Sequence, residues 1–433
     1  MERQLMSKLV DWKSSRRKKP IILNGARQVG KTWLLKEFGA RYFDNVAYVN
    51  FDNNKAMNLL FEEGYDSARL LTGLQAEAHE RIVEGKTLII FDEIQECPKA
   101  LTSLKYFREN APGQMIAAAG SLLGLAVHQG TGYPVGNVTT LDLYPLNFRE
   151  FLDATDNQSL REIIDAADAA AVSAFSSKII SLLRQYYFVG GMPEAVLAFA
   201  ESGVLDDARS IQNQILFDYR RDITKHLTVS ETEYALAIWD SIPAHLGQEN
   251  KKFIFGHIKE GARAKNYHSG ITWLTEAGLA ACVRRVSKPG APLSAYVDES
   301  AFKLFALDVG LLGAMAGLCM SSVISGNQVF EEFKGALTEQ FVCQQLISDC
   351  ELRPFYWSAE NSRGEIDFLV QDEDRIYPIE VKAAENLHSK SLRAFNEKYK
   401  GMNPRRFSLS GYRNESWMHN IPLFAIGNMK NWK

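Results

Sequence analysis

At 433 residues the chain exceeds one ordinary domain, and roughly two to three are expected. A composition of 46% hydrophobic and 23% charged residues is that of a soluble globular protein, and the lack of an apolar run long enough for a bilayer excludes a membrane span. The formal net charge of −3 supplies no global basic field, so any DNA-binding surface has to be a local patch. Met1-Glu2-Arg3-Gln4-Leu5-Met6 lacks a signal-peptide core. Five dispersed cysteines (Cys97, Cys282, Cys319, Cys343 and Cys350) have neither pairing nor zinc spacing, which suits reduced thiols and a cytoplasmic setting. The chain shows no internal repeat or low-complexity tract.

Lys13, Arg16, Arg17, Lys18 and Lys19 form a basic lead-in to the first strand, Pro20-Ile21-Ile22-Leu23. Gly25-Ala26-Arg27-Gln28-Val29-Gly30-Lys31-Thr32 then reads G-x-x-x-x-G-K-T, a phosphate-binding P-loop, and a helical pattern begins at Trp33. The glycines let backbone N–H groups turn toward phosphate oxygens, and the helix N-terminus adds its dipole. Lys31 places a positive charge near the β/γ-phosphates, and the Thr32 hydroxyl is a Mg²⁺ ligand. Residues from Gly25 to Trp33 therefore make the expected ATP cradle.

Downstream, Thr87-Leu88-Ile89-Ile90-Phe91 leads into Asp92 and Glu93, a pattern expected for a buried parallel strand that ends at the nucleotide. Asp92 is assigned to Mg²⁺, and Glu93 to orienting the attacking water as base. Met115 to Ala119 predicts another strand, followed by Gly120-Ser121. Ser121 is a candidate γ-phosphate sensor, and equally an N-cap for Leu122-Leu123-Gly124. Apolar stretches at 46–52 and 138–143 add strands, with helical patterns at 74–83 and 101–107 between them. Alternating strands and helices argue a parallel sheet covered on both faces, so the chain is α/β.

The P-loop, Phe91-Asp92-Glu93-Ile94-Gln95, Ala119-Gly120-Ser121 and the stretch Leu143-Tyr144-Pro145-Leu146-Asn147-Phe148-Arg149-Glu150-Phe151-Leu152 together resemble prokaryotic AAA+-superfamily ATPases of the archaeal-ATPase-like branch. Members of that group carry a C-terminal domain of unknown function. The resemblance runs over nearly the whole chain; it implies an AAA+ core over 1–155, ATP binding with hydrolysis, and a homo-oligomer whose sites are shared between subunits. Such rings complete each site with an arginine from the neighbour, for which Arg149, Arg220 and Arg221 are the candidates.

A helical lid is expected over 156–230. Its pattern at 175–187 stops at Gly190-Gly191-Met192-Pro193-Glu194-Ala195, a piece typical of the resembled group and, physically, a helix stop followed by a new start at the proline. Over 231–320 a helix at 233–244, a second pattern at 262–277, a strand at 280–286, a turn through Pro289 to Pro292 and a returning strand at 294–297 spell a winged helix. Lys265, Asn266, Tyr267 and His268 would lie where groove-reading residues sit, with Lys288 on the wing. Winged helices also serve as protein-packing modules, so the fold leaves DNA contact open.

From 321 to 433 the chain turns to a second chemistry. Asp367 adjoins one apolar strand, and Glu380 and Lys382, two apart on the next, project to the same face. This is the D…E-x-K pattern of the PD-(D/E)XK, restriction-endonuclease-like fold, and Glu339 on the amphipathic stretch 333–346 matches its helical glutamate. The carboxylates of Glu339, Asp367 and Glu380 would share Mg²⁺ or Mn²⁺, with Lys382 activating water. Such a site also persists in this fold as a silent scaffold. Arg363, Lys390, Arg393, Lys398, Lys400, Arg405 and Arg406, with Phe395, Tyr399 and Phe407 among them, suit nucleic acid or a solvated helix face. The expected function is an ATPase acting on DNA through its C-terminal domains. Two alternatives stand beside it: an ATP-dependent assembly or signalling switch with a silent C-terminal platform, and a nuclease regulated by ATP.

Overall fold

A computed structural model describes the chain except for residues 17, 122–132, 262, 326–327, 360–363, 384–387 and 431–433. Arg17, Arg363 and the segment after Ser121 expected to start a helix lie outside the described residues. Two compact units are present: Glu2–Tyr144 with Glu276–Gly278, and Pro145–Thr275 with Leu279–Lys433.

The first unit is built on a parallel sheet of β1 (Ile21–Asn24), β2 (Asn45–Asn50), β3 (Thr87–Asp92), β4 (Met115–Ala119) and β5 (Thr139–Asp142). Its order is β2-β3-β4-β1-β5, every pair parallel. Every residue of β3 and β4 is buried, as expected for central strands covered on both faces. Helices Lys31–Tyr42, Lys55–Glu62, Ser67–Ala78 and Pro98–Asn110 supply the cover. Phe51, Phe61 and Phe91 pack edge to face at 5.3–5.9 Å between centroids and fix one side of the core.

The second unit opens with helices, among them Phe148–Ala154, Ala169–Val189, Leu205–His226 and Val229–Leu246. A single eight-stranded sheet follows: β6 (Ala280–Val286), β7 (Val297–Ala306), β8 (Phe355–Ser358), β9 (Glu365–Asp372), β10 (Arg375–Val381), β11 (Arg405–Ser408), β12 (Arg413–Asn414) and β13 (His419–Pro422). The order is β12-β13-β11-β10-β9-β8-β6-β7. The expected wing is therefore not a free ribbon. β6 pairs with β8 in parallel, Arg284 opposite Phe355, so a boundary at 320 would run through one sheet. The returning strand begins at Val297 rather than 294, because Leu293–Tyr296 is wound into a short 3₁₀ turn.

The Pro-Leu-x-Phe-Arg-Glu-Phe stretch acts as an anchor for this unit. Asn147 and Glu150 form a reciprocal capping box at the start of helix 148–154. Leu146 donates its N–H to the Gly191 carbonyl (2.7 Å), and its own carbonyl accepts from the Tyr186 hydroxyl (2.5 Å). Gly191 has to be glycine, since a Cβ there would lie 2.0 Å from the Leu146 carbonyl oxygen. Fully buried Asp308 accepts from Gly191 N–H (2.7 Å), Leu311 N–H (3.1 Å) and the Gln344 amide (3.0 Å).

Replacing Asp308 by Ala leaves three buried donors without that acceptor. The variant is expected to lose on the order of 3 kcal/mol in urea denaturation, whereas Asp206→Ala on the outer first turn of helix 205–226 should lose far less.

Candidate functional site

The P-loop lies at the carboxyl edge of β1 and is folded by local backbone constraints. Gly25, Gln28 and Gly30 have φ of 148°, 65° and 93°. A Cβ on Gly25 would meet the Leu143 carbonyl oxygen at 2.2 Å. Arg3 pins the loop from outside, donating to the carbonyls of Val29 (3.0 Å) and Tyr144 (2.6 Å). Arg27 and Trp33 are exposed, and Ala26 and Val29 are buried.

Lys31 is buried, and its ammonium donates to the carbonyls of Gly25 (2.9 Å) and Ala26 (2.7 Å). Burial pulls its pKa down to about 8 against the opposing pull of Glu93 and Asp92. The Thr32 hydroxyl donates to Asp92 Oδ2 at 2.9 Å, and the Tyr48 hydroxyl donates to the same oxygen at 2.8 Å. Burial and the adjacent Asp92 carboxylate hold the Tyr48 phenol well above its ordinary range. Glu93 occupies the left-handed region (φ 50°), and one of its oxygens accepts from the Gln95 amide at 2.5 Å. Ser121 is buried directly after β4, between the strands that carry the P-loop and Asp92. A hydroxyl and a carboxylate in contact are hard oxygen donors, and Mg²⁺ takes one or two such protein ligands beside phosphates and water. Thr32 and Asp92 therefore fit the expected ion.

The C-terminal residues are brought together differently. Lys382 Nζ lies 2.8 Å from Glu380 Oε1, and Glu380 Oε2 is buried without a hydrogen-bond partner. Asp367 Oδ2 accepts the Val381 N–H at 2.7 Å. Withdrawal from water, then neighbouring Glu339, pushes the Asp367 carboxyl up to about 7. Glu339 stands beside Asp367 and also faces two cations. Lys251 Nζ is 2.5 Å from its Oε1 and Lys303 Nζ is 3.8 Å from its Oε2. Lys303 also pairs with Glu365. Among the described residues no three carboxylate, histidine or cysteine groups are placed to share an ion. The Glu339, Asp367 and Glu380 set does not fit a divalent metal as arranged. Lys251 and Lys303 carry no sequence signal, because they belong to segments far from the D…E-x-K strands, whereas Glu365 stands two residues before Asp367 on the same strand.

Several expected roles change. Arg149 is engaged inside its own unit, 3.0 Å from Asp165, 3.5 Å from Asp349 and 2.6 Å from Asn428 Oδ1, so it does not serve as a free arginine. Arg220 pairs with Asp240, while Arg221 is exposed near the Phe217 ring. Tyr267 is buried between Tyr234 and Phe255, whereas Lys265, Asn266, His268 and Lys288 are exposed. Arg405 and Arg406 are buried; Arg406 is bound to Asn420 (2.8 Å), Ser389 (3.3 Å) and Glu415 (3.0 Å). Phe395 and Tyr399 pack on Trp357 in the core rather than offering a stacking platform.

The basic lead-in lines a cleft of 810 Å³ with Arg16, Lys18, Lys19 and Arg108. Arg108 is oriented by the Gly136 carbonyl and Asn137 Oδ1, both at 2.7 Å, and the backbone at Lys19 is held by its carbonyl, which accepts from Trp12 Nε1 at 2.7 Å. No carboxylate pairs with Arg16, Lys18 or Lys19 among the described residues. No described helix is long and apolar enough to cross a membrane.

Residues 17–152 match the family described as AAA domain. Residues 180–322 and 334–423 match two families described as domains of unknown function, DUF8612 and DUF4143. No curated protein matches the chain. Among solved structures, the Walker-type ATPase of Pyrococcus abyssi is similar at 13% identity, over 73% of this chain and 95% of that one, with a TM-score of 0.44. Aeropyrum pernix Orc1, solved in complex with DNA, is similar at 14% identity over 73% and 91%, with a TM-score of 0.28. The Thermotoga maritima RuvB Holliday junction branch migration motor is similar at 16% identity over 69% and 93%, with a TM-score of 0.29. Likeness at these scores carries no functional argument. The region 17–152 is a P-loop ATPase domain of the AAA type.

Lys31 binds phosphate only as the ammonium, and in the free protein it loses its proton near pH 8. Nucleotide affinity is expected to fall as pH rises through 8, the slope approaching tenfold per unit above it. Lys31→Arg keeps its charge and should flatten that phase. Calorimetric titration of ATP across pH 7–10 measures both.

Proposed function

We propose that this chain binds and hydrolyses ATP as an AAA+-type homo-oligomer and uses the nucleotide cycle to act on DNA. The observation that carries the reading is the Thr32–Asp92 contact beneath the glycine loop, with Lys31 and Glu93 beside it. Thr32 and Asp92 would hold Mg²⁺, which when bound offsets charge on the β- and γ-phosphates. Lys31 exchanges the Gly25 and Ala26 carbonyls for phosphate oxygens. Glu93 orients the attacking water once its contact with Gln95 is released, and Ser121 reads the γ-phosphate from the end of β4. Arg220 and Arg221 are both exposed; Arg220 is paired with Asp240, which leaves Arg221 as the candidate to reach a neighbouring subunit.

DNA action is supported by the Arg16, Lys18, Lys19 and Arg108 cleft, a local basic patch on a chain of net charge −3. Phosphate backbones are attracted by such unneutralised cations, and the affinity is salt-dependent. A second reading, an ATP-dependent assembly switch whose C-terminal domain is a silent protein-binding platform, is favoured by Lys303 standing against Glu339 and Glu365. The order of helix 328–348, antiparallel β8-β9-β10 and parallel β10-β11 supports a nuclease-like scaffold for that domain without requiring its chemistry.

The test is the ATP hydrolysis rate with Mg²⁺, alone and with double-stranded, single-stranded or branched DNA. Lys31→Ala is expected to lose at least a hundredfold in rate, and one DNA form is expected to stimulate the wild type. The double variant Lys18→Glu, Lys19→Glu should weaken DNA binding and reduce its salt slope by about two. A slow rate indifferent to every DNA would contradict DNA action and favour the switch.

A further inference from the structure

Lys303 lies on β7 at the edge of the eight-stranded sheet, and its side chain is 1% exposed. It runs over the Tyr356 ring on β8, 5.0 Å from the ring centroid, to reach Glu365 on β9. On the other side its ammonium is 3.8 Å from Glu339 on helix 328–348. Lys251, from the segment after helix 229–246, takes the remaining Glu339 oxygen at 2.5 Å. An ammonium withdrawn from water is sustained only by carboxylates, and these carboxylates by ammonium groups.

We infer that Lys303 takes the place of a divalent cation in the C-terminal acidic cluster, making the Glu339–Glu365–Asp367 group an ion-pair clasp instead of a metal centre. This deepens the reading of the C-terminal domain as catalytically silent and rests on that part of it, not on the switch. A divalent ion needs bare carboxylate oxygens converging within bonding distance. Here Lys251 takes Glu339 Oε1, Glu339 Oε2 has Lys303 as its ion-pair neighbour at 3.8 Å without a hydrogen bond, Glu365 faces Lys303, and one Asp367 oxygen holds the Val381 N–H. The same contacts give the cluster a different task. They tie the 251 segment, the β6–β7 ribbon, helix 328–348 and the β9–β10 hairpin together, alongside the backbone pairing of β6 with β8 that makes the ribbon part of the C-terminal sheet.

Mn²⁺ titration of the full chain, read by electron paramagnetic resonance without nucleotide, tests the clasp. Wild type and Asp367→Asn are expected to bind the same number of ions. Lys303→Met is expected to gain one equivalent, lost again when Asp367→Asn is added. An equivalent present in wild type and removed by Asp367→Asn overturns the inference. Lys303→Met strands buried carboxylates and is expected to melt at lower temperature. If it does not fold at all, the variant Lys303→Met, Glu365→Gln, Glu339→Gln should recover folding, and a triple variant no more stable than the single one overturns the clasp. The two readings fail separately: Asp367-dependent Mn²⁺ in the wild type sinks the clasp, while DNA-stimulated ATP turnover sinks the switch and leaves the clasp standing.

Discussion

The hydrogen bond from Thr32 to Asp92 joins residues 60 positions apart and is the constraint on which the nucleotide site depends. It exists because β4 lies between β1 and β3, so the P-loop and the acidic strand end leave the same edge of one parallel sheet. The all-buried strands at 87–92 and 115–119 make that placement rigid. Everything chemical in the first unit hangs from it: Lys31 turned into the loop, Tyr48 bracing Asp92 from β2, and Glu93 directed by a left-handed backbone just past β3. The loop itself is the part free to change, since the Lys31 contacts to Gly25 and Ala26 are hydrogen bonds that phosphate oxygens can replace.

The second unit is held by polar groups buried where apolar packing alone would be ambiguous. Asp308, Gln344, Tyr186 and the Gly190-Gly191 turn form one network, in which each donor meets an acceptor at a fixed place. Arg149 closes a second network with Asp165, Asp349 and Asn428. The lysine-centred cluster at Glu339 is a third. Removing one member from such a network leaves a stranded polar group, a larger loss than the net gain from any single bond. That is a physical reason for the residue-specific character of the Pro-Leu-x-Phe-Arg-Glu-Phe and Gly-Gly-x-Pro-Glu stretches, which build the networks rather than the chemistry.

The nucleotide site was legible in the chain because its information is local. Eight consecutive residues from Gly25 to Thr32 specify the loop, and an apolar run specifies the strand before Asp92. The strands of the first sheet were legible for the same reason. Arg3 and Tyr48 were not, because an arginine before a helix and a tyrosine on a strand acquire their meaning only from the loop and carboxylate that folding brings beside them. The winged-helix expectation missed a non-local step: the helices and ribbon are present, but parallel pairing of β6 with β8 joins residues about seventy apart and leaves no pattern in either segment. Arg406 and Tyr267 read as nucleic-acid contacts because charge and aromaticity are visible in sequence, while burial is not. Lys303 was hidden in the same way, in the part of β7 beyond the 294–297 stretch that was expected as the returning strand.

The most direct measurement is an experimental structure of the full chain with Mn²⁺ and a non-hydrolysable ATP analogue, with the ion located by anomalous scattering. The account requires one ion between the phosphates, Thr32 and Asp92, with the Lys31 ammonium moved from the Gly25 and Ala26 carbonyls onto phosphate oxygens. It also requires Lys303 still seated between Glu339 and Glu365. Lys31 unmoved beside bound nucleotide, or a manganese ion at Glu339 and Asp367, would contradict it.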